Sequence, residues 1–497
     1  MSIEPEKNQG SEGPVLLTAR WIVGHADGRH VLYENGEVAY DGNEITFVGQ
    51  HYTGPVGRRI DYGMALIGPG FIDLDALSDL DTGVLGLDHQ PGWKKGRVWP
   101  RDYVNAGPVE MLDPDELAFQ KRYAFAQLIR NGITTALPIA SLFYRAWNET
   151  TDEFASAANS AGELGLRVYL GPAFRAGHSV VEEDGSIVVE IDEARGAEGL
   201  QQAIAFCQEH EGRHGGLVRT MLAPDRIEFW TEGLLRETAA AARDLDVPLR
   251  LHCCQSEFEV NTMRERFGTT SARWLQSIGF LGEKVLLPHG TNAERADLDI
   301  IAASGATLVH CPIVMARHGV ALDNFADLRR AGMRIGMGTD TWPPDMVRNM
   351  QVGLMLGRVM SGDTARPAST DLYDAATTGG ADALGRSDLG RLRKGAKADI
   401  VVFNLGADHL GQITDPIAGL MTSASGRDVD TVVIDGRTVM QNGIIPGFDF
   451  EAAHGRAQRQ FERLVARYPE RTWRHPPVEA IFPPSYPTIR STGVAKE

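Results

Sequence analysis

Between residues 249 and 340, four short apolar runs each end in a polar residue able to do chemistry. They read Pro248-Leu249-Arg250-Leu251-His252-Cys253-Cys254, Val285-Leu286-Leu287-Pro288-His289, Ala306-Thr307-Leu308-Val309-His310 and Arg334-Ile335-Gly336-Met337-Gly338-Thr339-Asp340. Such runs are too short for helices and rich in Val, Leu and Ile, so they read as buried strands. Helix-like segments at 260–277, 293–303 and 325–331 lie between them. Strand and helix in strict alternation predict parallel βα units. Side chains at the ends of successive parallel strands converge on one rim, and in a (β/α)8 barrel that rim carries the chemistry. A single His at a strand end is usually only a satisfied polar group. Three strands ending in His, followed by one ending in Asp, predict an active-site rim.

The same texture extends backwards. Further barrel strands are expected in the runs beginning at Ala65, Ile133, Leu166 and Leu217, which with the four above make eight. The helix at 115–130 opens on Asp113-Pro114, a cap followed by a first-turn proline. Residues 14–65 instead alternate short strands with Asn35-Gly36 and Asp41-Gly42-Asn43, both hairpin signals. Hairpin strands return near 398–403 and 432–439. The expected architecture is therefore α/β: a (β/α)8 TIM barrel over 66–393, with a small β-sandwich formed from both termini, 14–65 plus 394–445. Residues 446–497 are expected to add a C-terminal helix and an extended tail.

Composition narrows the function classes. The 497 residues carry 66 Asp+Glu against 49 Lys+Arg, a net charge of −17, which repels polyanions and argues against nucleic acid as a partner. No run of about eighteen apolar residues is present to span a membrane, and no apolar h-region follows Met1. The four cysteines form neither a disulfide framework nor a Cys-x-x-Cys motif. A cytoplasmic enzyme with a small-molecule substrate is the expectation.

In order and spacing, Pro69-Gly70-Phe71-Ile72-Asp73, Asn131-Gly132-Ile133-Thr134-Thr135, His289-Gly290, His310-Cys311-Pro312, Gly338-Thr339-Asp340 and Gly395-Ala396-Lys397-Ala398-Asp399-Ile400 resemble the amidohydrolase superfamily. The likeness is to the branch of cytosine and guanine deaminases and triazine chlorohydrolases, and it runs from about residue 14 to 445. It implies hydrolysis of a C–N or C–Cl bond in a small nitrogen-rich or heterocyclic compound, and a homodimer or higher homo-oligomer. It also implies a divalent metal whose ligands are a strand-one His-x-His pair, one His each from strands five and six, and an Asp from strand eight. Here His289 and Asp340 match. The strand-one pair falls on Asp75 and Leu77, and the strand-five ligand position on Cys254, with Glu257 as the surviving acid/base.

Two ligands alone hold a divalent ion poorly. The expectation is accordingly a metal-free pocket in which Cys254, Glu257, His289, His310 and Asp340 act as nucleophile and acid/base groups. If an ion such as zinc is retained, its rebuilt set is Asp75, Cys254, His289 and Asp340. Asp75, Trp99, Arg101, Arg175 and His178 are candidates for substrate contact, with His89 and Trp93 in the same loop as Trp99. Two other uses of this pocket remain open: proton abstraction by a lyase or isomerase, and ligand binding without turnover.

Overall fold

The computed structural model describes residues 13–79 and 98–489. His89 and Trp93 lie outside the described residues. Eight strands alternate with helices in chain order. They are Phe71–Leu77, Ile133–Ile139, Arg167–Leu170, Val218–Thr220, Leu249–Arg250, Val285–Pro288, Thr307–His310 and Arg334–Met337. The first four pair in parallel as one sheet and the last four as another. Two sets of backbone contacts join them into a closed ring. Leu222 N–H donates to Pro248 O and Arg250 N–H to Leu222 O, while at the other seam Asp340 N–H donates to Asp75 O at 2.8 Å. Closure leaves no sheet edge and makes an interior that must be filled. Ile72, Leu74, Leu137, Tyr169, Met221, Leu286 and Val309 fill it. A much larger apolar layer, including Phe125, Leu128, Phe154, Leu235 and Leu308, lies between barrel and helices.

The helix Pro114–Arg130 starts as its sequence signals suggest. Asp113 accepts from Glu116 N–H, and Glu116 accepts in return from Asp113 N–H, a reciprocal cap with Pro114 in the first turn. Capping aligns its buried face, with Leu117, Phe125, Leu128 and Ile129, against strand two.

The two termini do build one unit, an eight-stranded sheet whose hydrogen bonds run continuously from the C-terminal hairpin to the N-terminal one. Its junction is Ala65–Pro69, paired with Ile400–Asn404 on one side and Val15–Ala26 on the other. This run belongs to that sheet and not to barrel strand one. The chain crosses to the barrel at Gly70, where a Cβ would lie 2.0 Å from Thr134 Oγ1, so only glycine permits the approach. The expected turn at Asn35-Gly36 is not one: Arg29–Asp41 is a single strand paired along Val15–Ala26, and the turn falls at Asp27-Gly28, both at positive φ. Asp41-Gly42-Asn43 and Asp435-Gly436 do connect neighbouring antiparallel strands.

Beyond the sheet, the helix Phe450–Arg467 packs its buried residues Ala457, Gln460 and Leu464 inward. The following segment folds back through Tyr468–Arg471 and Val478–Ile481 onto residues near the barrel mouth. Among the described residues no helix is long and apolar enough to cross a membrane.

Candidate active site

The barrel's C-terminal rim gathers four of its strand ends into one polar cluster. Asp75 comes from strand one, His252 follows strand five, His289 follows strand six, and Asp340 follows strand eight. Side-chain donor atoms of Asp75, His252 and His289 all lie within 4.8 Å of one another. His252 Nε2 stands 3.8 Å from Asp75 Oδ2, and His289 Nε2 stands 3.6 Å from Asp340 Oδ2. The two imidazoles are stacked with centroids 5.5 Å apart. Backbone geometry aims these groups: His289 and Asp340 hold φ of 78° and 37°, a region costly for residues other than glycine. Gly338 lets strand eight close on strand one, since a Cβ there would sit 2.6 Å from Asp75 Cβ.

Below the cluster lies a buried cation. Arg250, on strand five, points into the barrel with Nη1 3.5 Å from Asp75 Oδ1, and it donates to the carbonyls of Leu137 and Pro138. Burial pushes the Asp75 carboxyl up to about 7 while Arg250 pulls the other way. Asp73 beside it is pushed up to about 6 by burial, opposed by hydrogen bonds from Thr339 N–H and Oγ1–H. His252 is pushed down to about 3 by burial and then by Arg250; His289 falls well below the usual imidazole range for the same first reason. Both imidazoles are therefore neutral near pH 7.

These residues fit a divalent ion. His252 Nδ1 lies 2.7 Å from Asp225 O, a contact only an N–H can make, so Nε2 presents its lone pair toward Asp75. His289 is fully buried, yet neither ring nitrogen has a hydrogen-bond partner among the described residues. Asp75 Oδ1 is taken up by Arg250, which leaves Oδ2, 3.8 Å from His252 Nε2, as the oxygen turned to the histidines. Orphaned buried acceptors that converge are what a bound cation satisfies. Two imidazoles and two carboxylates suit zinc and other borderline divalent ions.

Several expected residues are elsewhere. Cys254 is not part of the rebuilt set, because the chain turns at positive φ and carries its thiol behind strand five, 3.7 Å from Cys253 Sγ. There its N–H donates to Glu259, as does that of Gln255. The strand-five donor is His252, two residues earlier than expected. Glu257 is exposed at the first turn of Glu257–Phe267, which removes it from the pocket as an acid/base. His310 belongs to the other face of strand seven. Its ring packs 5.1 Å from Phe325 and close to Gly353, between barrel and helices, while its neighbour Cys311 faces the cluster with Sγ 3.8 Å from Asp75 Oδ2. Arg101 is consumed by Glu182 and Glu190 at 2.5 and 2.7 Å. Trp99, Arg175 and His178 do lie together beyond strand three, joined by Trp147, which the sequence reading missed. Arg250 and Asp225 were missed too. Arg250 sits mid-run, and only the alternation from His252, two residues on, marks it as inward-facing.

A family model described as the amidohydrolase family matches residues 79–439, most of the chain. The chain belongs to the amidohydrolase family. Among curated relatives, a 5-methylthioadenosine/S-adenosylhomocysteine deaminase of Pelotomaculum thermopropionicum is 26% identical over 452 residues, covering 89% of this chain and 96% of that protein. A 5'-deoxyadenosine deaminase of Methanosarcina acetivorans is 25% identical, covering 87% and 94%. Among solved structures, a zinc-bound adenosine deaminase of Xanthomonas campestris superposes with a TM-score of 0.73 at 21% identity, covering 90% of this chain and 98% of that one. An atrazine chlorohydrolase variant of Arthrobacter aurescens, solved with zinc and atraton, gives the same score and identity, covering 90% and 100%. These two likenesses show that the barrel and its added β unit are an amidohydrolase fold.

Proposed function

We propose that this amidohydrolase hydrolyses a C–N or C–Cl bond of a small nitrogen heterocycle, at a divalent ion held by Asp75, His252, His289 and Asp340. The observation that carries it is the convergence of Asp75, His252 and His289, with Asp340 3.6 Å from His289 and neither nitrogen of fully buried His289 hydrogen-bonded among the described residues. Relatives whose names specify deamination of adenosine derivatives, and a chlorohydrolase on the same fold, support the reaction class. Such an ion, when bound, supplies Lewis acidity that makes water a nucleophile at neutral pH.

The chain's own residues do the rest. Asp340 is the more exposed of the two carboxylates, with its side chain 14% accessible against 0% for Asp75, so it can take the proton from attacking water and return it to the leaving group. His252, its tautomer set by Asp225 O, and His289 remain neutral and hold orientation without moving protons. Arg250 balances the carboxylate charge of Asp75 from below, so the site gathers two acids without excess repulsion. Gln255, three residues after His252, is a neutral amide whose Oε1 accepts from Arg226 at 2.6 Å; it can position a substrate but cannot shuttle a proton. The expected metal-free pocket and its Cys254 nucleophile are replaced in this reading.

The test is metal content and turnover together. Protein loaded with zinc and desalted should retain about one equivalent by elemental analysis. It should release ammonia or chloride from an aminated or chlorinated heterocycle in a panel of purines and triazines. The product should carry oxygen from labelled water. Retention of no metal, or product without solvent oxygen, would sink the proposal.

A further inference from the structure

Two adjacent cysteines follow His252 at the end of strand five, and the hydrolytic step uses neither. Cys253 and Cys254 are 1% and 0% exposed, with their Sγ atoms 3.7 Å apart. Both are free thiols. The chain itself disfavours a bond between them: consecutive Cα atoms stand about 3.8 Å apart, short of the roughly 4.4 Å that an unstrained disulfide needs. The pair is therefore held as a dithiol. The backbone turns there with Cys254 at φ 55°, and Glu259 pins the turn. Its Oε1 accepts from Cys254 N–H at 2.6 Å and from Ser271 Oγ–H at 3.1 Å, while its Oε2 accepts from Gln255 N–H at 2.7 Å.

Two sulfurs at this spacing form a chelate. A metal–thiolate bond of about 2.3 Å bridges the 3.7 Å gap at an angle of about 107°. Donor atoms of Cys253, Cys254 and Glu259 lie within 4.8 Å of one another. Glu259 is already engaged by three donors, so the site offers two sulfurs and no free oxygen. That set leaves zinc short of its four ligands but suits a softer ion that takes two or three. The other two thiols lie elsewhere, Cys207 against Met221 O and Cys311 against Asp75 Oδ2.

The dithiol turn is stitched to the catalytic rim. Cys253 directly follows His252, and its carbonyl accepts at 3.2 Å from the N–H of Gly290, the residue after His289. Cys254 O accepts from Asn292 N–H at 2.9 Å, and Asn292 Nδ2–H donates to Gln255 O at 2.8 Å. Around the sulfurs the interior is closed, with Glu259 and Ser271 0% and 1% exposed. An ion that brings a ligand of its own enters such packing only by shifting the turn. The same turn carries His252. We infer that Cys253 and Cys254 are a dithiol receptor for a soft, thiophilic ion of low coordination number, and that filling it loosens the rim's hold on its own metal. The receptor stands on its own geometry; the loosening rests on the metal reading of His252 and His289.

Arsenite is the probe. Two As–O and two S–H bonds break, two As–S bonds form and two waters leave, so arsenic stays trivalent and keeps one hydroxyl. Because both thiols are buried, the intact protein is incubated until local opening admits the ion, then desalted. The parent should retain about one equivalent of arsenic by elemental analysis and show a single adduct by intact mass. Cys207→Ser should match it. Cys253→Ser and Cys254→Ala should each retain at least about tenfold less, and either one suffices if the other fails to fold. In zinc-loaded parent, retained zinc should fall as arsenic is taken up, whereas zinc in Cys254→Ala should be indifferent to arsenite. A parent that takes up no arsenic, or undiminished uptake by the cysteine variants, overturns the receptor. Full arsenic uptake with zinc unchanged overturns the coupling. Metal-free protein should take up arsenic equally, so failure of the metal reading would show separately, as a chain that binds arsenic and never zinc.

Discussion

At the level of single residues, the decisive distinction is between His252 and Cys254, two positions apart on one strand end. Asp75, His252 and His289 place their donor atoms together, while Cys254 lies with Cys253 and Glu259 behind the strand. His252→Ala should therefore abolish zinc retention and turnover, and Cys254→Ala should leave both near the parent level. Elemental analysis of the two purified variants checks this; loss of metal in Cys254→Ala would reverse the assignment. Arg250 gives a second residue-scale expectation. With both partners fully buried, removing the cation in Arg250→Met leaves Asp75 and two strand-two carbonyls without their partner. The metal-free protein should lose about 3–5 kcal/mol, read by denaturant unfolding. That Asp75, His289 and Asp340 sit at strand ends on one rim was legible in the sequence. Which way each side chain points was not. Regular alternation breaks at the strand ends, where Cys254, His289 and Asp340 adopt positive φ, so counting by twos fails at the positions that matter.

At the level of elements, strand seven shows the same limit inside regular structure. Val309 faces the barrel interior with Leu286 and Ile72, so His310 must face the helices, where it meets Phe325. A four-residue strand buried on both faces has no solvent side to reveal this. Helix boundaries were more legible because caps are local: Asp113, Pro114 and Glu116 mark the start of Pro114–Arg130 with no reference to the rest of the fold. Asp113→Ala removes the side-chain acceptor of Glu116 N–H, while its backbone N–H can still donate to Glu116, and should cost about 1 kcal/mol by thermal or denaturant melting, leaving activity intact. An unchanged stability would mean the helix is held by its buried face alone. The Asn35-Gly36 reading failed for the opposite reason. Its turn propensity is real, but pairing with the full length of Val15–Ala26 outweighs it and draws the dipeptide into the strand.

At the level of the whole molecule, the alternation of strands and helices made the barrel legible, and the hairpin texture of both ends made the shared sheet legible. The route of the last segment was not, because the residues it packs on lie some three hundred positions or more away. After Phe450–Arg467 the chain returns to the barrel mouth, where Tyr468, Ile481 and Phe482 pack with Trp99, Tyr103, Met111, Phe143 and Tyr144. Arg471, fully buried, lies over the Tyr103 ring and donates to the carbonyls of Phe143 and Val109. Phe143 O is the same carbonyl that holds the Trp99 indole, and Trp473 Nε1–H donates to Glu182 O, whose carboxylate pairs with Arg101. The C-terminal segment thus braces the cluster of Trp99, Trp147, Arg175 and His178 through the Phe143 carbonyl, and none of its hydrogen bonds among the described residues reaches Asp75, His252, His289 or Asp340. Truncation after Arg467 should leave the barrel folded and zinc retained, because neither the barrel seams nor the donor set involves the removed residues. It should uncover the aromatic cluster, lower Tm by several degrees and raise KM more than it lowers kcat. Far-UV circular dichroism, metal analysis and steady-state kinetics on the truncated protein separate these effects. A truncated enzyme with unaltered KM would show that the segment stabilises the fold without shaping the substrate wall, whereas loss of bound zinc would mean that the brace extends to the catalytic rim.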